Sequence, residues 1–440
     1  MLIIIAITWA GAMLTERAGE ARTEQAGESR TEREEKARTE RAETRRKAVF
    51  LTFLLITVAA FFVFRLKIGF AGVLGSVGLS FYSLQAIGYM ADVYMKKTKA
   101  EGNILKYAAY VSFFPTVISG PIQRSTGLLK EIREGTAFSY ELARTGVLMM
   151  LSGYLQKILI ADRIHLLIEP LFSDIALKSG AALLFGCLMY GIELYADFAG
   201  YSLIAIGAAN LLGFRLDDNF RRPYFAADIR DFWRRWHISL SSFLRDYVYI
   251  PLGGNRKGTF RKYVNLMITF LVSGIWHGNG FKYIAWGILH GLYQVAGSIV
   301  SRGRNPVGNS GSFLFYRLIK CFFTFLLVEF GWIFFRAGSL RDVFLICRRI
   351  LFNFGLGATI ADGSWINGYG MPRFLLLAVE IVIFFIADHL TEKHGSLQAV
   401  LDKRPPVIRR ALYILAATAL ITGALYNYGT DPSTFIYAQF

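Results

Sequence analysis

Six histidines are the side chains best suited to moving a proton near neutral pH: His165, His237, His277, His290, His389 and His394. Three of them stand in or beside apolar runs. His277 closes YVNLMITFLVSGIWHG, His290 lies inside FKYIAWGILHGLYQV, and His237 sits in the basic and aromatic stretch RRWHISLS. An ionisable group at membrane depth is costly and faces a polar cavity or a partner. Gly278-Asn279-Gly280 breaks the helix after His277, which places His277 and His290 on two helices joined by a tight turn. A neutral imidazole in a low-dielectric pocket suits general-base work on a hydroxyl. His165, in ADRIHLLIEP, reads as interfacial, and His389 and His394, in ADHLTEKHG, read as an interfacial loop.

Spacing excludes other chemistries. HxxxH and HExxH are missing and no carboxylate shares a short stretch with His237, His277 or His290, so no metal site is expected. GxSxG, P-loop and GxGxxG motifs are absent as well. Cys187, Cys321 and Cys347 are dispersed without a CxxC and read as small buried hydrophobes. Near the histidines, Trp233, Trp236, Arg234 and Arg235 could line the entrance of a donor, and guanidinium groups suit one that carries phosphate. Lipid-headgroup contact is the competing reading for the two arginines. Asp197 and Asn210 are polar within an apolar run and read first as helix-to-helix hydrogen-bonding groups.

The elements that must position these residues are set by composition. The chain has 440 residues, of which 54% are hydrophobic and 18% charged, with a mean hydropathy of +0.39. Soluble domains carry about 25% charged residues. Residues 15–47 alone hold 10 Lys/Arg and 9 Asp/Glu. Elsewhere apolar runs recur at the length of roughly 20 residues that a bilayer requires. Of the net charge of +17, all but the +1 of residues 15–47 therefore lies in short loops between spans, facing anionic lipid rather than nucleic acid.

Three regions follow. Residues 1–14 form a short N-terminal membrane helix, either shallow or the start inside a larger membrane domain. Residues 15–47 form a charged low-complexity juxtamembrane helix in which Thr-Glu recurs every eight residues, at 15, 23, 31 and 39. Residues 48–440 form the membrane domain, with spans at 48–64, 68–95, 139–160, 181–214, 263–276, 281–300, 312–335, 374–390 and 409–426. The run 181–214 is long enough for a span, a turn after Gly200 and a second helix. Pro115 and Pro121 make 104–122 kinked or re-entrant. Residues 215–262, with 11 Lys/Arg and 5 Asp/Glu among many aromatics, and residues 339–353 read as interfacial. The fold class is all-α: a polytopic membrane protein of about nine to eleven membrane helices.

From residue 76 to 295, in order, LSFYSLQAIGYMADVY, FFPTVISGPIQR, ADFAGYSLIAIGAANLLGF, NFRRPYF, DFWRRWHISLSSFLRDYVYIPLGGN, SGIWHG and ILHG resemble the membrane-bound O-acyltransferase family. The resemblance is strongest to its bacterial alginate O-acetyltransferase-like branch. It implies re-entrant or interfacial helices around a central tunnel, His277 and His237 as catalytic, and His290, Trp233, Trp236, Trp276, Arg234, Arg235 and Asp197 as supporting or tunnel-lining. It implies an acetyl group drawn from acetyl-CoA or an acyl carrier, no tightly bound cofactor, and a polysaccharide acceptor. A secreted SGNH-type partner and a multi-pass location in the bacterial cytoplasmic membrane complete the expectation. D-alanyl transfer to teichoic acid is the alternative within the family. A transporter of a lipid-linked sugar is the alternative class. The charged insert near the start departs from the family pattern.

Overall fold

The computed structural model describes residues 1–20, 32–66, 78–300, 312–366 and 368–426. It divides into two compact units, Met1–Ala143 with Ala209–Asp217, and Arg144–Ala208 with Asp218–Phe440. Among the described residues every regular element is a helix.

In the first unit, α1 (Leu2–Gly19) and α2 (Glu32–Arg65) are followed by α3 (Leu79–Tyr94), α4 (Ile104–Val111), a π-helical turn at Ser125–Leu129 and α5 (Lys130–Glu134). Gly11 lies against Phe53 and Met90, and Gly19 lies against Arg46, so α1 and α2 run antiparallel. Side chains tie the bundle together. Thr8 Oγ1 meets the Tyr107 hydroxyl at 2.7 Å, and Trp9 Nε1 donates to the Glu101 carbonyl at 2.7 Å. Tyr89, Tyr107 and Tyr110 are fully buried at the centre. Pro115 sits just past the end of α4, which stops at Val111.

The charged stretch is not an element of its own. Residues 15–19 complete α1, and residues 32–47 open α2, which runs unbroken into the apolar run. Its repeats at 22–24 and 30–31 lie outside the described residues. Most of its described side chains are exposed, but Thr15 and Arg46 are buried because the antiparallel neighbour and α3 cover them. The first part of the span expected at 68–95 also lies outside the described residues.

The second unit holds most of α6 (Tyr140–Leu155), a π-helical turn at Gln156–Ala161, α7 (Asp162–Phe172) and most of α8 (Gly180–Leu211). Then come α9 (Ile229–Arg235), α10 (Ile238–Leu244), a π-helical turn at Arg245–Tyr249, α11 (Gly258–His277), α12 (Phe281–Val300) and α13 (Ser312–Arg336). It ends with α14 (Leu340–Phe352), α15 (Leu356–Ala361), α16 (Met371–His394), α17 (Leu397–Asp402) and α18 (Pro406–Tyr426). The turn expected after Gly200 is not there, because α8 is one continuous helix of 32 residues. Gly200 serves packing instead: a Cβ on it would come within 2.8 Å of the Gly153 carbonyl on α6. His389 and His394 belong to the last turns of α16 rather than to a loop.

Among the described residues six helices are long and apolar enough to cross a membrane: α1, α2, α8, α13, α16 and α18. The expected nine to eleven counted α11 and α12 as spans. Each is 20 residues long, but they bury Asn265, Thr269, Ser273, His277, His290, Gln294 and Ser298, and those polar residues dilute their hydropathy. His277 and His290 thus stand on helices that bury a polar face.

Candidate active site

The α11–α12 hairpin is the frame. A Cβ on Gly274 would lie 2.3 Å from the Tyr283 carbonyl oxygen, and one on Gly287 would lie 2.5 Å from that of Phe270. The two backbones therefore touch at a crossing that only glycine permits. The chain breaks between His277 and Phe281, at the glycines that foretold it. His277 ends α11 and His290 stands in the middle of α12, with Trp286 between them at ring-centroid distances of 5.0 and 4.7 Å. Phe335 of α13 lies 5.2 Å from His277, and Trp332, one turn earlier, lies 6.2 Å from His290.

Trp233 Nε1 donates to His290 Nδ1 at 3.3 Å. Indole N–H is a donor only, so the neutral His290 ring carries its proton on Nε2. That nitrogen is buried without a hydrogen-bond partner and faces Gly331 of α13, where a Cβ would come within 2.5 Å. His290 is thus a desolvated donor in wait of an acceptor.

His237 lies between α9 and α10 in left-handed backbone, with φ 43° and ψ 54°. A non-glycine residue there costs on the order of 1–2 kcal/mol. The Ile238 amide donates to the Asn219 carbonyl at 2.9 Å, and His237 Nδ1 meets Asn219 Oδ1 at 3.1 Å. Its ring stands edge-on to Phe198 of α8 at 4.7 Å and 6.0 Å from Trp276, which in turn lies 4.8 Å from His277. One aromatic nest therefore links all three histidines.

Of the supporting residues, Trp233, Trp236 and Trp276 are in this nest, and Trp236 packs on Trp332 at 4.9 Å. Arg235 instead pairs with Asp231 at 3.0 Å and with Glu392 of α16 at 3.0 Å, while Arg234 is exposed. Asp197 accepts from Lys157 at 2.8 Å, and Lys157 also meets Asp162 at 2.9 Å, so Asp197 belongs to an ionic tie between α8 and the π-turn after α6. Asn210 is buried near the end of α8. His165, partly exposed, meets the buried Glu193 carboxylate at 2.9 Å.

Sequence reasoning passed over Asn219, Trp286, Trp332 and Phe335. Trp286 carried a signal, since it precedes His290 by four residues and so shares its helix face. Asn219 opens the family-like stretch NFRRPYF, but within the polar string DDNFRRP nothing marked its own side chain.

The fold is thus that of a multi-pass helical membrane protein with three buried histidines gathered in an aromatic nest. Residues 101–337, which contain the whole nest, match the MBOAT, membrane-bound O-acyltransferase family. The chain is 41% identical over 388 residues to the probable alginate O-acetylase AlgI of Pseudomonas putida, covering 84% of this chain and 76% of that protein. It is 40% identical to the Pseudomonas aeruginosa protein of that name, spanning 58% of its length. It is 29% identical to the peptidoglycan O-acetyltransferase of Helicobacter pylori, across 83% of this chain and 74% of that one. The teichoic acid D-alanyltransferase of Streptococcus thermophilus aligns at 30% identity over 51% of this chain. The chain belongs to the membrane-bound O-acyltransferase family.

Proposed function

We propose that this protein transfers an acetyl group from a cytosolic thioester, acetyl-CoA or an acyl carrier, to hydroxyl groups of an extracellular or cell-wall polysaccharide. The bacterial cytoplasmic membrane is its place, and a secreted SGNH-type protein is its partner. The observation that carries the reading is the histidine nest inside the family-matched segment of a chain that resembles alginate and peptidoglycan O-acetyltransferases across most of its length.

In the reaction, the acceptor hydroxyl oxygen attacks the thioester carbonyl carbon and the carbon–sulfur bond breaks. The hydroxyl proton ends on the departing thiol. His277 takes that proton as general base, and His237, across Trp276, accepts a hydrogen bond from a neighbouring hydroxyl of the sugar and so holds the acceptor. The His290 Nε2–H, buried and unsatisfied, is a donor suited to the oxyanion that forms at the carbonyl. Donor and acceptor meet in a tunnel through the protein.

The test uses purified full-length protein in liposomes with labelled acetyl-CoA inside and alginate oligosaccharides outside. Acetylated sugar from the wild-type protein and none from His277→Ala supports the reading. Transport of unmodified sugar without transfer, or transfer only from a D-alanyl carrier protein, overturns it.

A further inference from the structure

We infer that Asn219 is the positioning residue of His237: its side-chain oxygen holds the imidazole as the Nδ1–H tautomer, which leaves the Nε2 lone pair to receive a hydrogen bond. The inference rests on the reading of His237 as a site residue and deepens it.

Asn219 is buried to 1% exposure and its polar atoms are committed in a way that fixes the amide. The Ser239 backbone amide donates to the side-chain atom of Asn219 at 3.4 Å, and the Ser239 hydroxyl meets the same atom at 2.8 Å. A backbone N–H can only donate, so that atom is the carbonyl oxygen. The other end of the amide donates to the Ser202 hydroxyl of α8 at 3.0 Å, which agrees. His237 Nδ1 stands 3.1 Å from that same oxygen. An amide oxygen only accepts, so Nδ1 carries the proton, and a neutral ring then has an unprotonated Nε2.

Backbone geometry points the same way. His237 occupies left-handed space, and the next amide, Ile238, donates to the main-chain carbonyl of Asn219 at 2.9 Å. One residue thus holds both the unusual backbone and the ring of His237. Strained backbone of this kind persists only where its surroundings over-determine it. Asn219 also reaches α8 through Ser202, so a continuous helix of 32 residues anchors the orientation. An asparagine that merely started α10 would bond backbone amides and have no need of the histidine ring.

The experiment follows the side-chain nitrogen resonances of His237 in full-length protein labelled with 15N-histidine and held in lipid nanodiscs. The wild-type ring is expected as the Nδ1–H tautomer. Asn219→Ala should lose that preference, and Asn219→Asp, which keeps an acceptor there, should retain it. With acetyl-CoA and alginate oligosaccharides, Asn219→Ala should lower kcat roughly 10–100-fold, by analogy with metal-ligating histidines that lose their outer partner. Its KM for acetyl-CoA should stay within about twofold, and Asn219→Asp should recover most of the rate. A wild-type Nε2–H tautomer overturns the inference, as does an Asn219→Ala protein with unchanged tautomer and kcat. Should Asn219→Ala not fold, the wild-type and Asn219→Asp spectra still decide. His237→Gln separates the two levels. Full activity in that variant removes His237 from the site and this inference with it, whereas an inactive His237→Gln beside a fully active Asn219→Ala removes the inference alone.

Discussion

His277 is surrounded by rings, with Trp276, Trp286 and Phe335 each about 5 Å away, so its replacement leaves a hydrophobic pocket that keeps its walls. His277→Ala is therefore expected to fold, insert and unfold thermally near the wild-type temperature while losing transfer by roughly 10²–10⁴-fold. A purified variant with normal turnover would sink the assignment. A second residue gives a pH dependence. Burial alone would raise the Glu101 carboxyl, but Arg133 and the Asn103 amide hold it below the ordinary carboxylate range. Its stabilising share is complete above the unfolded value of about 4.3 and is lost as pH falls through the lowered folded value. Acid unfolding should thus begin at higher pH in Arg133→Ala, and coincident acid transitions would contradict this. At this scale the three central histidines were legible because an ionisable group in an apolar run stands out. Arg235 was not, because its partner Glu392 lies 157 positions away in sequence. Asn219 escaped notice because a polar residue in a polar string shows nothing of its burial.

Among the elements, the α11–α12 crossing controls the site most directly. Gly274→Ala places a methyl against the Tyr283 carbonyl, and relief requires the helices to part and carry His277 away from Trp286. We expect a loss of about 1–3 kcal/mol and a fall in activity larger than that of Gly297→Ala, where the added Cβ meets nothing. Equal melting temperatures for the two variants would show that the contact is soft. The α1–α2 pair makes a separate prediction. Arg46 donates to the Val93 carbonyl at 2.7 Å and is buried, whereas Arg41 is exposed. Arg46→Ala should cost about 1.5–3 kcal/mol and Arg41→Ala close to nothing, as read by thermal unfolding in detergent. Periodicity and breakers made the hairpin at Gly278-Asn279-Gly280 readable in advance. They misread α8, because Gly200 looks alike in sequence whether it ends a helix or admits a neighbouring backbone. They also misread the charged stretch, because nothing local marks Arg46 as a cation covered by tertiary contacts.

For the whole molecule, the net charge of +17 on a mostly apolar chain is an orientation signal. Composition alone made the membrane class legible, yet a count of basic residues overstates what the membrane meets. Arg222 and Arg235 are tied to Glu392, and Lys262 bonds Ser298. Arg221, Arg234, Arg256, Lys257 and Arg261 remain exposed, and they lie between α8 and the body of α11. Positive segments near span ends stay on the cytoplasmic side, which is also the side from which a soluble thioester donor would enter. The test is a cysteine at position 257 in a background lacking Cys187, Cys321 and Cys347. Lys257 is exposed, and it avoids Gly258, whose φ of 82° would strain any side chain. A membrane-impermeant maleimide applied to intact cells should leave Lys257→Cys unlabelled, and permeabilisation should expose it. The neighbouring stretch would then share a compartment with acetyl-CoA, and the route for the donor would begin beside His237. Efficient labelling from outside would reverse the orientation of α11, place these arginines and lysines against the outer leaflet, and require the acetyl donor to reach the histidine nest from the opposite face.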